Sequence, residues 1–197
     1  MIPEPDWSTL RAAVERRGYR WFDGGGDYNL NLVGIRGMSR KAGLFDDLFC
    51  CAFRQAARET VLAFACTTDP GRRYLHEPIN AHGAAILVPG QYRGMWEIGL
   101  HRSRYAALVQ RGPCTVWRDD DRDDDLDDGP HQDIGYFGIN LHHGLPTGST
   151  ASPDEWSAGC QVLRDAEEFR LVMALADLAA VRYGKAFTYT LIGEGDL

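Results

Sequence analysis

The 197-residue sequence lacks the patterns that mark exported, membrane-spanning and disulfide-rich proteins. Its start, MIPEPDWSTLRAAVERRGYRW, has no basic stretch followed by an apolar one, so no secretory signal is visible. No window approaches 18 consecutive apolar residues, which argues against a membrane-spanning helix. The five cysteines are odd in number and include no CxxC pair, so a disulfide framework is not expected. There is no internal repeat and no long linker, and we predict a single domain over residues 1–197.

The sequence also lacks an excess of basic residues. Lys and Arg number 21 against 28 Asp and Glu, a net charge of −7. Residues 119–128, DDDRDDDLDD, hold eight Asp and one Arg and therefore carry this −7 alone, while the remaining chain has 20 charges of each sign. A nucleic-acid partner is not expected, because it would require a basic face. An acidic disordered chain is excluded too, since everything outside this segment has ordinary apolar content.

The patterns present predict a mainly β (α+β) fold. An amphipathic helix is expected over Trp7–Arg17, capped by Ser8 or Thr9 and ended by Gly18. Short β-rich runs bounded by Gly, Pro and Asp then follow one another, as is typical of a sandwich or barrel-like assembly of sheets. The first of these runs are Leu30–Gly37, Asp47–Phe53, Thr60–Thr67 and Ala84–Gly90, and YRGMWEIGLH, YAALVQ, CTVWRD and IGYFGINLHH continue the series.

One long C-terminal helix precedes the last strand. Asp165 followed by Glu168 resembles a capping box, and Gly184 is a suitable end. The expected apolar stripe of this helix contains Phe169, Leu171, Val172, Leu175, Leu178 and Ala179. The segment Phe187–Gly193 is expected to be the final strand.

The residues most suited to chemistry lie between Gly138 and Val162, in GINLHHGLPTGSTASPDEWSAGCQV. A strand-like segment ends in His142 and His143, and Cys160 follows a glycine after a polar loop. A thiolate is the reactive form of cysteine, and a nearby imidazole is the usual means of generating it. Two other interpretations stay open on the residues alone. Cys160 is a core cysteine beside incidental histidines, or His142, His143 and Cys160, with or without His131, bind zinc.

Zinc is the weaker interpretation, because adjacent histidines on a strand point to opposite faces. The isolated histidines His76, His82, His101 and His131 are expected to be surface or packing residues.

These motifs resemble the catalytic motif of the L,D-transpeptidase (YkuD-like) family. In that family a histidine precedes an S/T-x-G-C segment by some 16 to 18 positions, and here the two histidines precede Cys160 by 18 and 17 positions. The sequence more strongly resembles a divergent phage and bacterial branch with an R-D-x-x-x-D stretch, a G-I-N-I-H strand and W-S-A-G-C-Q, in that order. Residues 118–128, 138–143 and 156–161 match these three motifs, and the order of elements agrees over roughly residues 30–175.

The resemblance implies a YkuD-like β fold and a role for each motif residue. Cys160 would attack an amide carbonyl and form a thioester. His142 is favoured over His143 as the base, with the backbone carbonyl of His143 orienting its ring. The N–H groups of Gly159 and Cys160 would form the oxyanion hole, and Ser157 would support the turn.

The resemblance also implies substrate contacts. Trp156 would wall the acyl pocket, and Gln161 lies beside the nucleophile. Arg164 would replace the family's usual arginine, which is missing after the cysteine in this sequence.

The implied substrates are peptidoglycan stem peptides, cut at the L-centre of diaminopimelate by an L,D-transpeptidase, L,D-carboxypeptidase or L,D-endopeptidase. A protein made in the cytoplasm without a visible signal would reach the periplasm through phage lysis or a secretion system. We therefore expect an antibacterial effector or phage lysis protein, with an immunity protein or delivery machinery as partner. The alternatives are a non-catalytic cell-wall-binding or virion module and a cysteine amidase with another substrate.

No cofactor is expected for catalysis, but the acidic segment raises the question of structural Ca²⁺. Asp119, Asp121, Asp123 and Asp127 occupy positions one, three, five and nine of a calcium-loop spacing. Asp124 replaces the glycine of position six and Pro130 the acid of position twelve, which argues against a full EF-hand. A looser Ca²⁺ loop and a solvated acidic loop both stay open.

Overall fold

The protein is mainly β in a computed structural model that describes residues 2–129 and 131–197. Eight strands close a barrel, three form a second sheet, and three helices complete the described part of the chain. The strands are Asn31–Arg36 (β1), Asp47–Gln55 (β2), Arg58–Thr67 (β3), Ala84–Leu87 (β4), Gly90–His101 (β5), Tyr105–Gln110 (β6), Cys114–Asp119 (β7), Gln132–Gly135 (β8), Leu141–His143 (β9), Gln161–Leu163 (β10) and Ala186–Gly193 (β11). The helices are Trp7–Arg16 (α1), Arg72–His76 (α2) and Ala166–Tyr183 (α3), with a 3-10 turn at Glu194–Asp196. The predicted mainly β class is confirmed.

The barrel runs in the order β1-β11-β5-β6-β9-β10-β3-β2, and β4-β7-β8 form the smaller sheet. Two pairs, β1–β11 and β9–β10, are parallel, and the other pairs are antiparallel. The barrel interior is filled by large side chains such as Trp96 and Tyr189, whose rings stack with centroids 4.3 Å apart. Side chains of β4 and β7 belong to the same core, so the small sheet packs directly against the barrel.

Helix α1 covers the outside of the barrel. Its apolar residues Leu10 and Val14 pack with Val33 of β1 and Cys50 of β2. This cover explains why β1 is buried at every position, because both faces of the strand meet other side chains. The expected cap at Ser8 or Thr9 is wrong. The side chain of Asp6 caps the helix by accepting the Thr9 N–H at 2.8 Å.

Helix α3 begins as its sequence predicts. The Asp165 side chain accepts the N–H groups of Glu167 and Glu168, and Gly184 follows the last turn. The predicted apolar stripe is partly wrong, because Leu171 and Leu178 are exposed. The short helix α2 was not predicted, since five residues give too little periodicity to recognise.

None of the described helices has the length and apolar character that a membrane span needs. The five cysteines are all buried and free.

Candidate active site

Cys160 immediately precedes β10, which pairs in parallel with β9, the strand that carries His142. In the register of this pair Val162 of β10 lies opposite His142 of β9, and the Gln161 N–H donates to the Asn140 carbonyl at 2.8 Å. Cys160 therefore lies beside the chain that enters β9. Its thiol is 8% exposed and donates to the Gly138 carbonyl, with the sulfur 3.2 Å from that oxygen. The fold thus brings together the two motifs that the sequence separates by a long loop.

The turn that presents Cys160 requires glycine at position 159. Gly159 has φ +116°, and a Cβ there would lie 2.3 Å from the Ala85 carbonyl oxygen. Ser157, fully buried, has its Oγ 2.7 Å from the Asp69 carbonyl oxygen and 2.8 Å from that of Cys160. The same Oγ accepts the Gly159 N–H at 3.2 Å. The Gly159 N–H therefore faces Ser157, which differs from the oxyanion role expected for it.

The ring of His142 is held by its own strand. His142 is buried, and its Nδ1 lies 2.7 Å from the His143 carbonyl oxygen. The Tyr105 hydroxyl lies 3.3 Å from this Nδ1 and donates to the same carbonyl at 3.2 Å. Within residues 2–129 and 131–197, Nε2 is buried without a hydrogen-bond partner. A ring whose Nδ1–H is bonded to a carbonyl keeps the lone pair of Nε2 free to take a proton.

Burial makes the neutral forms of both side chains the stable ones. Burial lowers the pKa of His142 to about 3, and His101, stacked on it at 4.1 Å between ring centroids, adds to the effect. Burial raises the pKa of the Cys160 thiol to about 11. The backbone N–H of Asn140 and the Arg102 guanidinium have the opposite effect and lower this pKa. The thiol of Cys160 and the imidazole of His142 are therefore both neutral at rest.

His143 faces the other side of β9. Its Nδ1 lies 3.2 Å from the Gly144 carbonyl oxygen, and its ring stacks on Tyr105 at 4.3 Å and meets the edge of Phe169 at 5.1 Å. It lines a cavity of about 300 Å³ between β6 and α3.

Sequence reasoning missed three residues around His142, all from the β5–β6 hairpin. His101, expected at the surface or in packing, is buried against His142, and its Nδ1 lies 3.1 Å from the Asn140 side-chain nitrogen. Tyr105 contacts Nδ1 of His142. Arg102, between them in the turn, has φ 49°, and its charge lowers the pKa of both Cys160 and His142. No spacing signal marks these residues, because only pairing of β6 with β9 brings the hairpin here.

The three residues expected to contact substrate do not share one site. Gln161 is fully buried, with its Oε1 accepting the Tyr189 hydroxyl at 2.6 Å, so its side chain belongs to the barrel interior. Arg164 is exposed at the far end of β10, in a cavity that Glu168 also lines. Trp156 is half-buried in the turn before Ser157.

A cavity of about 240 Å³ opens beside the Cys160 turn instead. It is lined by Tyr74, Phe137 and Ala158, the residue before Gly159. Arg118 forms one wall, and its Nε pairs with the Asp133 Oδ2 at 2.8 Å. Ala158, two residues before Cys160, places this cavity near the thiol in the chain, and its walls combine aromatic rings with a guanidinium.

In residues 2–129 and 131–197 no three His, Cys, Asp or Glu side chains are arranged to hold a metal ion as they stand. Comparison with known families, with curated proteins and with solved structures finds no match for this chain. The resemblance to L,D-transpeptidases accordingly stays a prediction from the motifs.

Proposed function

We propose that the protein is a cysteine-dependent acyltransferase or peptidase of the L,D-transpeptidase type, with Cys160 as nucleophile and His142 as base. One observation carries the proposal. On the strand next to Cys160, the Nδ1 of His142 is held at 2.7 Å from a carbonyl while its Nε2 is buried and unpartnered. A core histidine with no chemical task would normally have both ring nitrogens satisfied, because an unpaired buried polar atom is costly.

The geometry supports attack from a neutral thiol. As the sulfur attacks an amide carbonyl, Nε2 of His142 takes the thiol proton and later delivers it to the leaving amine. An amine or water then cleaves the thioester. Attack by an amine gives acyl transfer, and attack by water gives hydrolysis. The buried imidazolium is costly, so the proton is held only briefly. The backbone carbonyl of His143 stabilises it through Nδ1–H.

The substrate class follows from the resemblance, and the site is compatible with it. The cavity beside Ala158 offers the aromatic rings of Tyr74 and Phe137 for an extended peptide. Arg102 places a cation beside the thiol, as a substrate bearing free carboxylates requires. We propose peptidoglycan stem peptides as the substrate. We also propose that the protein is delivered to the cell wall as an antibacterial effector or a phage lysis protein. An effector would be expected to have an immunity protein as its partner.

The test is mass spectrometry of muropeptides incubated with the protein. We expect Cys160→Ala and His142→Ala to abolish the mass change while their melting temperatures show that both remain folded. His143→Ala, which alters the next residue on the opposite side of β9, should retain activity. Cys114→Ala, at another buried cysteine, is the control for the loss of a thiol.

Retained activity in Cys160→Ala would refute the proposal, and loss of activity in His143→Ala alone would move the base to that residue. Binding of sacculi without any mass change would favour a cell-wall-binding module. Turnover of a small acyl ester, but not of muropeptides, would favour a cysteine amidase with another substrate.

A further inference from the structure

The eight aspartates of residues 119–128 form two groups and one separate residue, Asp120. Three of them meet basic side chains of other elements. Asp124 lies 2.8 Å from Nε2 of His76, Asp128 lies 2.7 Å from the Arg40 guanidinium, and Asp125 pairs with Lys41. Asp120 is exposed to solvent.

The second group is Asp119, Asp121, Asp123 and Asp127. In the described ranges none of these four forms an ion pair. They are close to one another, because the charges of Asp121, Asp127 and Asp123 all raise the pKa of Asp119, while the side chain of Asp121 contacts that of Asp127. These four aspartates, none of which forms an ion pair with a basic side chain in the part of the chain that the structure describes, occupy positions one, three, five and nine of a calcium-loop spacing.

Asp119 anchors this group at the end of β7. It is 2% exposed, and its Oδ2 accepts the Asp127 N–H at 2.9 Å. Its Oδ1 is buried and has no hydrogen-bond donor in the described residues. The neighbouring guanidinium of Arg118 is turned away and pairs with Asp133. A buried carboxylate oxygen without a donor is unfavourable unless a cation or a proton neutralises it, and burial raises the pKa of Asp119 to about 6.

We propose that Asp119, Asp121, Asp123 and Asp127 bind one Ca²⁺ ion, which stabilises the link between the end of β7 and the β1–β2 loop. Asp121, Asp123 and Asp127 are exposed, and Asp121 and Asp123 each use Oδ1 to accept a loop N–H, which leaves their Oδ2 atoms for an ion beside Asp119. Ca²⁺ suits this set better than Mg²⁺, because it accepts several carboxylates in flexible geometry. The loop is already docked, since the Leu126 N–H donates to the Arg40 carbonyl at 2.7 Å and the Ala42 N–H to that of Asp124 at 3.0 Å.

The experiment compares two charge-matched variants of the full chain after chelator treatment. In Asp123→Asn a proposed ligand loses its charge but keeps the oxygen that accepts the Asp125 N–H. Asp120→Asn removes the same charge from a neighbouring exposed position. Calorimetric titration with CaCl2 measures binding, and melting curves measure stability.

We expect one site in the wild type and in Asp120→Asn, with a rise in melting temperature of about 5–10 °C at a Ca²⁺ concentration one hundred times Kd. In Asp123→Asn the affinity for Ca²⁺ should fall at least about tenfold, and Asp121→Asn should show a similar loss of affinity. Absence of binding in the wild type would overturn the proposal. Equal Ca²⁺ responses in Asp123→Asn and Asp120→Asn would overturn it too, because they would show general charge screening.

Discussion

The neutral state of Cys160 can be tested by alkylation. Only the thiolate reacts with iodoacetamide, and burial raises the pKa of this thiol to about 11. At pH 7 about one Cys160 side chain in 10,000 is then ionised, against about one in 100 for a thiol with the ordinary value of 9.0. The modification of Cys160 should therefore be at least about 100-fold slower than that of an exposed thiol at pH 7. It should accelerate about tenfold per pH unit up to about pH 10.

The assay is mass spectrometry of the peptide containing Cys160 after timed exposure to iodoacetamide. Cys66 is the internal control, because it is fully buried on β3 and reacts only if the barrel opens. His142→Ala should leave the alkylation rate of Cys160 nearly unchanged, since a neutral imidazole does not stabilise the thiolate. A rate that levels off below about pH 8, together with slower alkylation in His142→Ala, would refute the neutral pair and indicate a resting thiolate–imidazolium pair.

Three further predictions concern stability and positioning. Gly159→Ala should lower the free energy of unfolding, measured in urea titrations, by about 2–4 kcal/mol, because the new Cβ is strained at positive φ and meets the Ala85 carbonyl. Gly24→Ala is the control, since a Cβ there meets nothing within 4 Å. In the unfolded state His142 takes up a proton below about pH 6.5, whereas in the folded state it does so only near pH 3. The free energy of unfolding therefore falls as the pH drops between these values. Between pH 7 and pH 4.5 the wild type should lose about 2–3 kcal/mol more than His142→Gln, and parallel curves would contradict the assigned pKa. Tyr105→Phe should reduce kcat about 5–10-fold with little change in melting temperature, and an unchanged kcat would show that its hydroxyl does not help to position His142.

Much of the local structure was predictable because it depends on short-range chemistry. Asp165 caps α3 through the next backbone N–H groups, and alternating or continuous apolar runs locate the long strands. Errors occurred where a neighbour in space decided the result. Asp6 rather than Ser8 caps α1, and Leu178 of α3 is exposed because nothing described covers that face.

The sequence by itself determined the mainly β class, the motif residues of the candidate site and the concentration of charge in one acidic segment. The surroundings of each histidine depended on the tertiary structure. His142 and His143 are adjacent in the chain, yet only the pairing of β9 with β6 and β10 places one beside His101 and the other against α3. In the acidic segment, likewise, Arg40, Lys41 and His76 decide which three of the eight aspartates are paired and which five are not, among residues 2–129 and 131–197. The reason is the same in both places: burial and charge compensation come from residues distant in sequence, and only the folded chain brings them into contact.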